Sequence, residues 1–332
     1  MTSAQGTVGN ERAGWTTLSF WQRIMRDYPL IPLLILLGVL LLILQTQRPG
    51  IINQIWLANT LKAAIPLAIL AACQTLTMLT GGIDLSVAAV ATMAGFVMTT
   101  QTPLVGPVTA TVYALLAAML VGTVTGVGVG VLRVHPLIMT LGMGLVVLGF
   151  MTVYQREVLA SGSAVPDEFA WLGSGLTEGL PNSLLLIIPL AALVIYGLRR
   201  FGYGRLLYAV GDNETAARLS GVRVWQVLIV LYVISALLAA VAGFMYAGLI
   251  RTVSLDTVNP FLLPSVAAAV IGGTSIFGGR GGYAGTLVGA LILTVLTTLL
   301  IVLNLPEASR QILFGAIVLG VAAAYSRITS TE

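Results

Sequence analysis

Leu79-Thr80-Gly81-Gly82-Ile83-Asp84-Leu85-Ser86 interrupts an apolar stretch that otherwise extends from Trp56 to Thr100. Glycine permits positive φ and close backbone approach, so the stretch reads as two helices joined at a sharp break. Discontinuous helices of this kind border transport pathways in membranes. A second string, Val270-Ile271-Gly272-Gly273-Thr274-Ser275-Ile276, repeats the apolar-Gly-Gly-polar pattern, and Gly278-Gly279 with Gly281-Gly282 follow it. Gly81, Gly82, Asp84, Ser86, Gly272, Gly273 and Thr274 are therefore the candidates for a gated pathway. Asp84 is the one carboxylate flanked closely on both sides by membrane-grade sequence. A charge at bilayer depth is costly unless it ends a helix, is paired or is functional. Two residues past a Gly-Gly break, Asp84 suits the N-terminus of the next helix, where it would accept backbone N–H bonds; a direct part in gating is the other reading.

Working outward, composition gives the solvent. Hydrophobic residues fill 58% of 332 positions and charged ones 8%, against roughly 25% charged in a soluble domain. So few charges cannot cover the surface of a water-soluble protein of this length, and the bilayer is the main solvent. The net charge of +4 is spread between apolar runs and forms no patch with interleaved aromatics, so no nucleic-acid partner is expected. Cys73 is alone, lies in an apolar run and reads as a packing residue.

A spanning helix needs about 20 apolar residues. Ten segments qualify approximately, at 29–45, 56–79, 85–100, 107–132, 136–154, 183–198, 225–250, 261–277, 283–303 and 310–325. The third and eighth are candidates for entering the membrane without crossing it, so the expected fold is an all-α polytopic bundle of about 8–10 transmembrane helices with broken helices at the Gly-Gly sites. Residues 1–28 are expected to form a cytoplasmic segment, 29–326 the transmembrane domain and 327–332 a cytoplasmic tail. The first apolar run lacks a small-residue cleavage site and reads as an anchor. With both termini inside, Arg12, Arg23, Arg26, Arg133, Arg199, Arg200, Arg205, Arg218, Arg223, Arg280 and Arg327 are cytoplasmic, and five basic residues fall outside or near the outer interface. This satisfies the positive-inside bias. The loop at 155–182 is then external and the arginine-rich loop at 199–224 cytoplasmic. Gly122, Gly126 and Gly130, and again Gly281, Gly285 and Gly289, recur every four residues, placing smooth stripes that pack helices or slide in transport.

Several chemistries are absent. The only lysine, Lys62, follows no phosphate-binding glycine loop, so there is no Walker A motif, and Leu219-Ser220-Gly221 is not completed as an ATPase signature. The only histidine, His135, stands beside Pro136 at a helix start and reads as interfacial; no metal set, catalytic dyad or cofactor is expected. An ion-coupled transporter would place carboxylates or histidines within its spans, and a membrane enzyme would need a catalytic constellation. A channel and a permease driven by a partner are left, and the cytoplasmic loop discriminates between them.

That loop, Gly204-Arg205-Leu206-Leu207-Tyr208-Ala209-Val210-Gly211-Asp212-Asn213-Glu214-Thr215-Ala216-Ala217-Arg218-Leu219-Ser220-Gly221-Val222, resembles the coupling segment of permeases in the ribose-type branch of bacterial ABC importers. Gly81-Gly82-Ile83-Asp84-Leu85-Ser86, Pro136-Leu137-Ile138-Met139-Thr140-Leu141-Gly142, and Ala267 to Ser275 with Gly278-Gly279-Arg280-Gly281 resemble that family's other motifs, in order, from about Trp56 onward. Ala88 and Asp212 stand where the family usually has glycine. The resemblance implies a non-enzymatic inner-membrane permease. Its partners would be a separate ATPase subunit on the cytoplasmic face, a soluble extracytoplasmic solute-binding protein, and a second permease, identical or paralogous. It also implies ATPase coupling through Gly211, Asn213, Glu214, Ala217, Arg218, Leu219 and Gly221. A short helix with Glu214, Ala217 and Arg218 at i, i+3 and i+4 would present one docking face. A monosaccharide such as a pentose or furanose is the expected solute, with nucleosides or branched-chain amino acids as alternatives.

Overall fold

The structure is a computed structural model that describes residues 30–158 and 162–329. The expected N-terminal segment with Arg12, Arg23 and Arg26, and the last three residues, lie outside the described part. Helices α1 (Leu30–Gln47), α2 (Gln54–Met78), α3 (Val87–Val105), α4 (Pro107–Gly130) and α5 (Pro136–Val158) follow one another through short turns. A short α6 (Asp167–Ser174) leads into a hairpin of β1 (Leu176–Thr177) and β2 (Leu180–Pro181). Its turn residues Glu178 and Gly179 both have positive φ, as a two-residue turn between twisted strands requires. Then come α7 (Leu184–Arg200), α8 (Gly202–Asp212), α9 (Glu214–Leu219), α10 (Val224–Ile250), a 3-10 turn at Asn259–Phe261, α11 (Leu262–Ile271), α12 (Tyr283–Val302) and α13 (Glu307–Thr329). The chain is an all-α polytopic membrane protein.

Seven described helices are long and apolar enough to cross a bilayer, or eight if α7 and α8, bent by 66°, make one broken span. The third expected segment becomes α3, a full-length helix whose small residues let it lie buried at the centre against α4, α5 and α10. The eighth does not cross as a helix. Its helix α11 has 10 residues, a rise of about 15 Å or half the apolar thickness. Beyond Ile271 the chain continues without helix to Tyr283, and this half-helix plus loop returns it from one end of the bundle to the other.

Both glycine stripes are consumed inside the subunit. A Cβ added at Gly122, Gly126 or Gly130 would lie 2.6–2.9 Å from the backbone of Tyr232, Ile229 or Trp225 on α10, so α4 and α10 meet without side chains between them. Gly285 and Gly289 face the backbone of Gly272 and Ala268 in the same way, seating α12 on α11. The two ends of the bundle then differ in content. One carries α6, the hairpin and the loop after α10, where Lys62 Nζ donates to the Ser174 carbonyl at 2.6 Å. The other gathers both Gly-Gly breaks, the α4–α5 turn and α8–α9.

Candidate functional site

The first break is built by capping α2. The Gly82 N–H reaches the Thr77 carbonyl at 3.1 Å and the Gly81 N–H that of Met78 at 2.9 Å. This closure needs the positive φ that Gly81 adopts, +78°. The four residues that follow, Ile83 to Ser86, are tied to neighbouring helices. The Gln74 amide donates to the Asp84 carbonyl at 2.8 Å and accepts from the Asp84 N–H at 3.3 Å. From α5, the Thr140 hydroxyl accepts from the Leu85 N–H at 3.0 Å and donates to the Ile83 carbonyl at 3.1 Å.

Asp84 is buried. Its carboxylate accepts from the Ser86 N–H at 3.0 Å and the Ser86 hydroxyl at 2.6 Å, and its second oxygen accepts from the Ser235 hydroxyl of α10 at 3.0 Å. The expected backbone bond at the helix start is present, but the residue at the N-cap of α3 is Ser86. The aspartate also ties the break to a helix 151 residues further along the chain. Neither carboxylate oxygen is without a donor.

The second break ends α11. Gly273 takes φ +87°, the Thr274 N–H bonds the Ala269 carbonyl at 3.0 Å, and the loop closes through Ser275 N–H to the Arg280 carbonyl at 2.9 Å. Thr274 is buried, and its hydroxyl has no hydrogen-bond partner among the described residues.

The sequence showed two separate breaks and a separate coupling loop; the structure brings all three into contact. The Gly279 N–H donates to the Leu79 carbonyl at 3.0 Å. Gly211, next to last in α8, lies so close that a Cβ there would run into that same carbonyl oxygen and lie 2.7 Å from the Gly279 nitrogen. A Cβ on Gly278 would lie 2.7 Å from the Gly211 oxygen and 3.0 Å from the Gly81 nitrogen. Three chain segments thus meet backbone to backbone. Tyr208 of α8 adds a hydroxyl bond to the Gly281 carbonyl at 2.8 Å. Gly278 and Gly279 were visible in the sequence as a turn, but nothing local signalled that their partner is Gly211. A cleft of about 480 Å³ opens beside this junction, walled by Gly272, Gly273, Gly281, Arg199 and Tyr208.

Past the junction, Asn213 caps α9 by accepting from the Ala216 N–H at 2.9 Å, and Arg218 pairs with Glu214. Gly221, at φ +86°, ends the helix. Of the expected docking face, Glu214 and Arg218 are exposed but Ala217 is buried, in one apolar cluster with Leu207, Val210 and Val224, so the three do not present a single outward face. The large apolar residue that faces outward is Leu219, 84% exposed. Among the described residues no group of three or more His, Cys, Asp or Glu converges as a metal site would require.

Comparison with known proteins gives the family. Residues 56–322 match the family model described as branched-chain amino acid transport system / permease component. The ribose import permease protein RbsC of Escherichia coli K12 is 35% identical over 289 residues, covering 86% of this chain and 90% of that protein. The fructose import permease protein FrcC of Rhizobium meliloti is 35% identical over 260 residues, 76% of this chain and 72% of that one. RbsC of Bacillus subtilis 168 is 29% identical over 288 residues, 85% and 88%. No solved structure matches. The aligned stretch contains both breaks, the α8–α9 segment and the junction between them, and the chain therefore belongs to this permease family, in its ribose-type branch.

Proposed function

We propose that this chain is the membrane-spanning permease of an ATP-driven, binding-protein-dependent importer of a neutral monosaccharide in a bacterial inner membrane. Two permease chains, identical or paralogous, sit on separate ATPase subunits at the end that carries α8 and α9. A soluble binding protein delivers solute at the end that carries the hairpin. The observation that carries this reading is the backbone junction: a push on α8 meets the Leu79 carbonyl and Gly279 with no side chain between to absorb it.

Energy has to enter from outside the chain. Lys62 and Asp84 are the buried charges among the described residues, and both are held, one by the Ser174 carbonyl and the other by three donors. Neither is free to carry a coupling ion. The ribose and fructose relatives support a sugar as solute. The family description names branched-chain amino acids, yet a zwitterion would need donors for its carboxylate, and Asp84 already occupies the Ser86 N–H at the start of α3.

The test is uptake by proteoliposomes holding this chain with its ATPase and binding protein. Labelled ribose or fructose is expected to accumulate only with ATP and the ATPase. Accumulation of leucine instead would move the chain to the amino-acid branch, and solute entry through the purified chain alone would replace the importer with a channel.

A further inference from the structure

Between the turn after α4 and the start of α10 lies a second cleft, of about 850 Å³. Its walls carry Arg133, His135, Arg218 and Arg223 against one carboxylate, Glu214. That carboxylate is taken by Arg218. Arg133 and Arg223 have no ion pair or side-chain hydrogen bond among the described residues. Two cations thus face one space, unpaired among the described residues.

The backbone at Arg133 makes its side chain more telling. Its φ is +55°, fixed by Leu132 N–H to the Val127 carbonyl at 3.1 Å and Val134 N–H to the Gly128 carbonyl at 3.0 Å. Glycine is the easy residue for this left-handed position at a helix C-terminus. An arginine there gives up backbone ease and adds a cation where the carbonyl end of α4 favours one. The surroundings are apolar. Trp225, on the cleft wall at the start of α10, is 46% exposed, and Leu132 at 70% and Ile138 at 65% stand within two residues of its lining residues Arg133 and Pro136 at the ends of α4 and α5. A tryptophan at the end of a span marks the headgroup level of a bilayer, and a basic pocket between spans at that level is the chemistry that holds an anionic headgroup.

We propose that this cleft binds the phosphate of an anionic phospholipid, with Arg133 and Arg223 on the headgroup and Leu132, Ile138 and Trp225 along the acyl chains. The proposal rests on the chain lying in a membrane and is independent of the solute it passes. Because Arg223 leads into α10 from α9, a bound lipid would brace the element assigned above to ATPase docking.

Native mass spectrometry of the full chain in detergent, titrated with phosphatidylglycerol or phosphatidylcholine, tests it. Wild type is expected to retain phosphatidylglycerol preferentially. The double variant Arg133→Gln/Arg223→Gln should bind it about 30-fold more weakly, two basic residues' worth at an anionic surface, with phosphatidylcholine unchanged. Arg133→Lys/Arg223→Lys, which keeps the charges, should keep most of the binding and so controls for folding. Arg133→Gly separates structure from binding: it should melt no lower than wild type while losing preference for phosphatidylglycerol. Wild-type binding by the Gln double variant overturns the proposal. So does displacement of the lipid by millimolar inorganic phosphate, which would make the site one for a free anion. Loss of ATPase association with lipid binding intact would assign the cleft to an acidic protein surface.

Discussion

Asp84 shows how a single residue can be placed by sequence and still be understood only in three dimensions. Its position after Gly81-Gly82 announced a helix start, and its carboxylate does take the Ser86 N–H. Nothing near it in sequence named Ser235, whose hydroxyl fills the second oxygen. Removing the carboxylate strands one N–H and two hydroxyls in a buried place, at about 1–3 kcal/mol for each group that finds no other partner. Asp84→Ala is therefore expected to lose about 3 kcal/mol or more, and Asp84→Asn, which keeps one accepting oxygen, about 1 kcal/mol. Thermal unfolding of the purified chain in detergent measures both. An Asp84→Ala protein that melts with wild type would mean that the serines find other acceptors and the aspartate does not hold the break.

Among the elements, the long helices were legible because twenty apolar residues in a bilayer leave the backbone no alternative to helix. The short ones were not. Ile276 and Phe277 extended the apolar reading of the eighth segment past Ile271, whereas the turn at Gly273 ends the helix there whatever the hydropathy beyond it. The doublet Arg199-Arg200 marked the end of a span, yet after Phe201 the chain resumes as α8. In α9, six residues long, the spacing of Glu214, Ala217 and Arg218 was right for one face, but tertiary packing chose which side faced the bundle. A test separates the two faces. Leu219→Asp should leave melting unchanged and abolish stimulation of the ATPase subunit in reconstituted complexes. Ala217→Asp should lower stability by about 2–4 kcal/mol, since it buries a charge against Leu207 and Val224. Equal stimulation by Leu219→Asp and wild type would take the docking contact away from α9.

At the scale of the whole molecule, the half-helix α11 and the loop to Tyr283 do the work of one crossing, so α1 and α12 both start at the end that holds α8 and α9. That end is expected to face the cytoplasm. In a Cys73→Ser background, where the hydroxyl can keep the bond to the Ser235 carbonyl, Glu178→Cys should react with an impermeant maleimide on intact cells. Thr215→Cys should react only after permeabilisation; its labelling on intact cells would invert the map. The backbone junction also bears on how such a chain can be recombined. Contacts made by carbonyls and glycine N–H groups tolerate almost any change of neighbouring side chain but no change of length. Inserting or deleting one residue within 79–82, 211–212 or 277–281 would throw the other two out of register. These three stretches, far apart in the chain, are therefore a single unit of inheritance, and a chimaera that exchanges one of them with a relative of different loop length must exchange all three.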